Sequence, residues 1–383
     1  MERREFMSLG LGATAALRAR PPERLTVAIA GDTGQGGFGH AWDLAWNRVP
    51  GVQVVAVSDP DEAGRARARQ RSGALRAYAD YREMLERERP AIVSISSRWT
   101  DGRLAMFRAA AGIGAHILVE KPFAGSLPDA DEMVSLAARR GIKVLVGHQA
   151  RASETIRRVL RMIRDGEIGE LVELRVRGKE DKRAGGEDLV VLGTHGLDLM
   201  RLVAGDPRWV FAHVTQGGRE VTPRDGRQGS ERVGTLAGDR ISATFLFDNA
   251  LHGTFDSRRA EPTPPGNRCG LTILGSRGAI FINVGTSRSA ESWILRSPMW
   301  REDKDTRWEP LGPDGPDTVG TFDRGSHAMA LDLIDAIERD RDPVCSVRDG
   351  CWTIEMIAGI YRSQFSGSRV PFPLKDRSDP FAA

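Results

Sequence analysis

Lys121 stands in the triplet Glu120-Lys121-Pro122, directly after the apolar run Ala115-His-Ile-Leu-Val119. Such a run reads as a strand buried on both faces, and parallel sheets present ligands at the carboxyl ends of their strands. An ammonium at that end faces a crevice. Partial burial penalises its charged form, lowers its pKa and lets it work as an acid or base near neutrality. Pro122 holds the preceding residue extended. A lysine at a random position would be solvated or paired with Glu120; its place at a strand exit sets this one apart.

The second constellation is Gly34-Gln-Gly36-Gly-Phe-Gly39, which follows the strand-like run Leu25-Thr-Val-Ala-Ile-Ala30. Glycines there let the backbone turn tightly and approach a pyrophosphate at a helix N-terminus. The run ends at Ala30-Gly31, so Gly31, Thr33 and Gly34 are expected to form the first turn, with Gly36 and Gly39 continuing it and a helix following over residues 40–47. Asp59 ends the second strand, Val52–Val57, twenty residues past Gly39. A carboxylate there would accept the adenosine ribose hydroxyls and repel a 2′-phosphate, favouring NAD over NADP. Arg98 leaves the third strand, residues 91–96, at its carboxyl end and could also meet cofactor or substrate.

These groups need a scaffold. Strands at 25–30, 52–57, 91–96, 115–119 and 143–146 alternate with helices at 62–70, 81–88, 104–113 and 129–139. That order predicts a doubly wound parallel sheet over residues 23–150. The pattern then changes. Residues 153–165 form an amphipathic helix, and Leu171–Arg177 alternates apolar and polar with period two, as do 210–214, 241–247, 251–255, 271–274 and 279–284. Residues 151–374 are therefore expected to be an α+β domain on an open, mostly antiparallel sheet that buries one face. Residues 300–324 read as a surface loop, 327–339 and 351–363 as closing helices, and 375–383 as a mobile tail.

The chain resembles the glucose–fructose oxidoreductase, inositol dehydrogenase and MocA family over residues 24–374. The marks are the glycine turn, Ser58-Asp59, Glu120-Lys121-Pro122, Val146-Gly147 with Arg151, Asp165-Gly-Glu-Ile-Gly169, Gly193-Thr-His195-Gly-Leu-Asp198 and Val370-Pro-Phe-Pro373-Leu. The resemblance implies a sugar- or cyclitol-directed oxidoreductase. Lys121 would hydrogen-bond the reacting hydroxyl and assist proton removal, and His195 would bind or polarise the same substrate. A buried histidine satisfied by a backbone carbonyl would leave the same trace. The family usually carries an aspartate four residues before this histidine. Val191 stands there and cannot transfer a proton, so Glu187 or Asp188 is expected to reach in. Arg151, Lys179 and Asp188 are further candidates for substrate contacts, and similar proteins dimerise through the exposed face of the second sheet.

The 55 basic and 52 acidic residues leave a net charge of +3, which gives no case for nucleic-acid or anionic-membrane binding. Three cysteines with no Cys-x-x-Cys pair argue against a disulfide framework and a structural zinc, and no metal is expected. Arg3-Arg4-Glu5-Phe6, followed by a mildly apolar stretch, resembles a twin-arginine leader over residues 1–22 and implies export to the periplasm. That route carries folded proteins, so the cofactor would be loaded inside, held and recycled within each cycle. The rival reading, prompted by Val191, is a non-catalytic dinucleotide- or sugar-binding protein that kept the fold.

Overall fold

The computed structural model describes residues 24–47, 49–259, 269–284, 292–311 and 322–382. The expected leader lies outside them. Six short strands, β1 (Leu25–Ala30), β2 (Val52–Ser58), β3 (Arg76–Tyr78), β4 (Ile92–Ile95), β5 (His116–Val119) and β6 (Val144–Val146), form one parallel sheet in the order β3-β2-β1-β4-β5-β6. The chain reverses direction of travel across the sheet between β1 and β4, which opens a crevice at their carboxyl ends. Val27, Ala28 and Ile29 of β1 are fully buried, as a strand covered on both faces must be.

Helices α1 (Glu62–Ser72), α2 (Tyr81–Glu88), α3 (Arg103–Gly112) and α4 (Leu127–Arg140) cover this sheet. Their ends are set locally. Asp61 caps α1 by accepting the Gly64 N–H at 2.5 Å, and Gly73 closes it in the left-handed region. Ser126 and Gly141 do the same for α4. The helix expected over 40–47 does not form. Ala41 takes a φ of 59°, and the segment winds as successive turns joined by Leu44 N–H to Ala41 O and Asn47 N–H to Leu44 O. Apolar spacing alone could not separate these turns from a helix, because Trp42 and Trp46 are buried either way. The strand β3, only three residues long, left no periodic signal.

The second half begins with α5 (Glu154–Arg164) and builds a ten-stranded sheet around β7 (Leu171–Arg177) and β8 (Trp209–Gln216). Its neighbours are mostly antiparallel; β7 and His252–Arg258 run parallel. Alternation decides which face is covered: Val210, Ala212 and Val214 are buried while Phe211 and His213 point outward. A one-turn α6 (Gly186–Asp188) and a five-residue π segment (Leu189–Gly193) lead into α7 (Thr194–Ala204) on the buried face.

The closing helices α8 (Phe322–Glu338) and α9 (Val347–Ser366) return to the first half. Met329, Leu333, Cys345 and Ile354 share its core, and Ser346 bridges to Leu145 of β6. The final residues do not hang free. Arg377 pairs with Asp131 and Glu355, and Phe381 packs 4.7 Å from the Tyr361 ring. The sequence read this segment as mobile because its charges have no local partners; their partners lie in α4 and α9.

Candidate active site

A cleft of about 610 Å³ lies between the two halves. Thr33, Gly37, Phe38, Gly39 and His40 form its glycine-turn wall, Lys121 and Arg98 its floor at the strand exits, and Lys179, Arg183, Val191, Leu192 and Glu231 the opposite side. Lys121 is almost fully buried and donates from Nζ to the Val191 carbonyl at 2.8 Å. Burial lowers its pKa from the usual lysine value against the opposing pull of Glu120 and Glu231. The amine is thereby primed to lose and regain a proton.

His195, in the first turn of α7, sits close enough for the Lys121 charge to act on it. Burial first, then Lys121, His148 and His40, hold its imidazole well below the ordinary range, so it is neutral and able to donate or accept a hydrogen bond. The His195 ring lies 5.3 Å from that of His148 and 6.4 Å from that of His40. Lys121 and His195, distant in sequence, are thus brought to one seam.

Glu120 is buried beneath them. Its carboxylate accepts from the His40 N–H at 3.0 Å, His40 Nδ1 at 2.8 Å, Trp42 Nε1 at 2.5 Å and the Lys121 N–H at 2.8 Å. Burial alone would raise its pKa, but His40 and Lys121 outweigh that and bring it to about 2. It is an anion that positions its neighbours. Beside it the Arg103 guanidinium, also buried, donates to the carbonyls of Ser97, Arg98 and Trp99 after β4 and of Glu120 and Pro122 after β5. One side chain thereby clamps both strand exits; nothing in its sequence context marked it.

The glycine turn fits a dinucleotide. Gly36, Gly37 and Gly39 all have left-handed φ values, and a Cβ at Gly39 would collide with Glu120 Oε2 and the Ser96 carbonyl, whereas nothing lies within 4 Å of one at Gly37. Side chains are thus excluded where a pyrophosphate must approach. Gly36 leaves room for Arg98, and Gly31 for the Phe38 ring. Arg67, Arg71 and Arg98 supply positive charge along the cleft.

Several expected roles need correction. Asp59 does not line the cleft. Its fully buried carboxylate accepts from Thr33 N at 3.1 Å, Thr33 Oγ1 at 2.7 Å and Asp61 N at 3.0 Å, so it braces the turn and Thr33 takes the exposed place. Gly34 turns over the Asp32 carboxylate rather than into the cleft. Arg151 lies buried outside it, bonded to Asp198 at 2.8 Å and paired with Asp349. Asp188 is held by the Lys179 and Glu180 N–H groups and by Ser257 Oγ. Glu187 accepts from Ser230 and the Glu231 N–H. Neither acid replaces the missing aspartate, because each is consumed in fixing a loop. Lys179 does border the cleft. His40, Arg183 and Glu231 went unrecognised; the place of His40 directly after Gly39 was the one available signal.

Donor atoms of His148, Asp198 and Cys345 lie within 4.8 Å of one another. The Arg151 cation pairs with Asp198, and burial pushes the pKa of the Cys345 thiol up, so the trio forms a polar knot beside His195.

Residues 25–148 match the family model described as an oxidoreductase family with an NAD-binding Rossmann fold, and residues 161–372 match that family's C-terminal alpha/beta domain. A D-apiose dehydrogenase from Paraburkholderia graminis is 33% identical over 191 residues, 47% of this chain and about half, 51%, of that relative. A 1,5-anhydro-D-fructose reductase from Ensifer adhaerens is 24% identical across 85% of this chain and 93% of its own length. A levoglucosan dehydrogenase solved with NADH and levoglucosan superposes with a TM-score of 0.74 at 20% identity, covering 92% of this chain and all of that one, which establishes a shared fold. With both halves matched in order and the lysine of the triplet set at the seam between them, the chain belongs to the GFO/IDH/MocA family of NAD-binding oxidoreductases.

Proposed function

We propose that this chain oxidises a secondary hydroxyl of a sugar, cyclitol or glycoside, using NAD held by the glycine turn. The observation that carries the reading is buried Lys121 lining the cleft beside the glycine turn, with neutral His195 near enough behind it to feel its charge. When bound, the nicotinamide supplies the hydride acceptor. Lys121, as the free amine, takes the hydroxyl proton. His195 orients the hydroxyl through a hydrogen bond without competing for a charge. Val191 and Leu192 exclude water from the reacting side, while Arg98, Lys179, Arg183 and Glu231 offer donors and an acceptor to the remaining hydroxyls.

The sugar-directed relatives support the substrate class, and the Arg3-Arg4 leader supports export with a retained dinucleotide. A retained cofactor would be recycled by reduction of a second substrate, or by transient oxidation that assists cleavage or epimerisation of a glycoside. The test is incubation with NAD and a panel of sugars, uronates, inositols and glycosides while nicotinamide absorbance and product are followed. Turnover of one class, lost in Lys121→Met, supports the reading. Silence throughout, with ligand binding unaltered by Lys121→Met, would instead favour a binding protein. Nucleotide released on denaturing the purified protein supports retention; protein that is free of nucleotide and dependent on added NAD contradicts it.

A further inference from the structure

Residues 227–236 form a small ribbon, Arg227–Gln228 paired antiparallel with Thr235–Leu236, and Glu231 stands at its tip. The tip crosses to the first half. The Arg232 carbonyl accepts from the Thr100 N–H at 2.8 Å, and Arg232 Nε pairs with Asp101 at 2.8 Å. Gly234, with a φ of 103°, lies directly on Gly125: a Cβ there would stand 2.2 Å from the Gly125 carbonyl oxygen. From the ribbon's own half, Glu187 accepts from the Ser230 and Glu231 N–H groups. The backbone around residue 231 is thus fixed to both halves by groups other than the Glu231 side chain.

That side chain lines the cleft together with Lys121 and is 14% exposed. Its Oε1 accepts from Arg183 Nη1 at 3.1 Å. Arg183 is held in turn, with Nε and Nη2 both donating to Asp181, so Oε1 has a rigid backing. Oε2 receives no hydrogen bond among the described residues; Arg98 Nε stands 3.8 Å from it, beyond hydrogen-bond length. An ionised carboxylate only accepts, so this oxygen selects a donor. The other acid of the cleft wall, Asp43, is fully buried and paired with Arg71. Glu231 is also close enough for its charge to act on Lys121.

We infer that Glu231 is the specificity-determining residue of the cleft, its Oε2 accepting a hydrogen bond from a second hydroxyl of the sugar whose first hydroxyl is oxidised. This rests on the sugar oxidation proposed above and names what that site selects: a polyol with a free hydroxyl at one further ring position. A substrate lacking that hydroxyl leaves the carboxylate desolvated by the ligand and without a donor, which is how a polar pocket rejects a deoxy analogue.

The test crosses two changes, one in the protein and one in the ligand. Wild type, Glu231→Ala and Glu231→Gln are compared on D-glucose, myo-inositol and methyl β-D-glucoside and on the single-deoxy analogues of each. NADH formation gives kcat/KM, and calorimetry on the NADH complex gives affinity. In wild type, removal of one particular hydroxyl should lower both about 10- to 100-fold. In Glu231→Ala, removal of that same hydroxyl should cost less than about threefold, while the other deoxy analogues keep their wild-type ranking. Glu231→Gln, which keeps an acceptor but not the charge, should fall between. Melting temperature and NADH affinity should hold near wild type, because the tip is anchored through its backbone. A loss in Glu231→Ala that is uniform across the analogues would overturn the inference, as would a wild type indifferent to every single hydroxyl. If no probe is oxidised, the oxidation reading falls and calorimetry still decides on Glu231: loss of one hydroxyl's contribution alone supports it, and no binding by any probe overturns it.

Discussion

At the scale of single residues, the account turns on the protonation of Lys121. Its folded pKa lies below the ordinary lysine value because burial outweighs the attraction of Glu120. Only the neutral amine accepts a proton, so sugar oxidation should rise with pH through that lowered pKa and level off below the usual lysine range. A kcat/KM profile checks this. Val191→Asp would set a carboxylate beside the ammonium, favour its charged form and move the rising limb to higher pH. An unmoved limb would mean that position 191 does not sense Lys121. Lys121→Met should lower kcat roughly 10²–10⁴-fold while NADH still binds, as fluorescence titration would show. Lys121 was legible in the sequence because a strand end and a proline framed it. His40 was not, since its value comes from Glu120, eighty residues away.

Among the elements, the turns that carry the cofactor site depend on buried braces. Thr33 and Asp59 lock the first turn, and Gly64 of α1 packs against both: a Cβ there would lie 2.0 Å from Thr33 Oγ1 and 2.7 Å from Asp59 Oδ2. Gly64→Ala should therefore push the turn outward and weaken NADH binding at least tenfold, measurable by calorimetry, with a lowered melting temperature. Arg103→Met strands the carbonyls of two strand exits in a buried setting. The expected cost is about 3 kcal/mol of unfolding free energy in urea, with a fall in activity as Lys121 loses its fixed base. The strand and helix order was legible from period and punctuation, because those signals are local. The bracing role of Asp59 was not, because a carboxylate at a strand end looks alike whether it faces a ribose or a threonine hydroxyl. The turns at 40–47 were misread for the same reason: left-handed Ala41 carries no sequence mark.

Across the whole molecule, the two halves are joined by more than a linker. α8 and α9 belong to the second half in sequence but pack into the first core, and Arg377 of the tail ties α4 to α9 through Asp131 and Glu355. Deleting residues 375–383 should lower the melting temperature by about 1–3 °C, since a loss of about 1–2 kcal/mol moves it by roughly that amount in a chain of this size. An unchanged melting curve would show the tail to be a passenger. Pattern reading found two domains because the hydrophobic period changes near residue 150. It missed their interlock because contacts between distant segments leave no period.

The most direct test of the central claim is a crystal structure of the chain with NADH. The account predicts the pyrophosphate over Gly37 and Gly39 and the nicotinamide C4 facing a space bounded by Lys121 Nζ and the His195 ring. A nicotinamide lodged elsewhere, or those two side chains turned away from its reactive face, would contradict it.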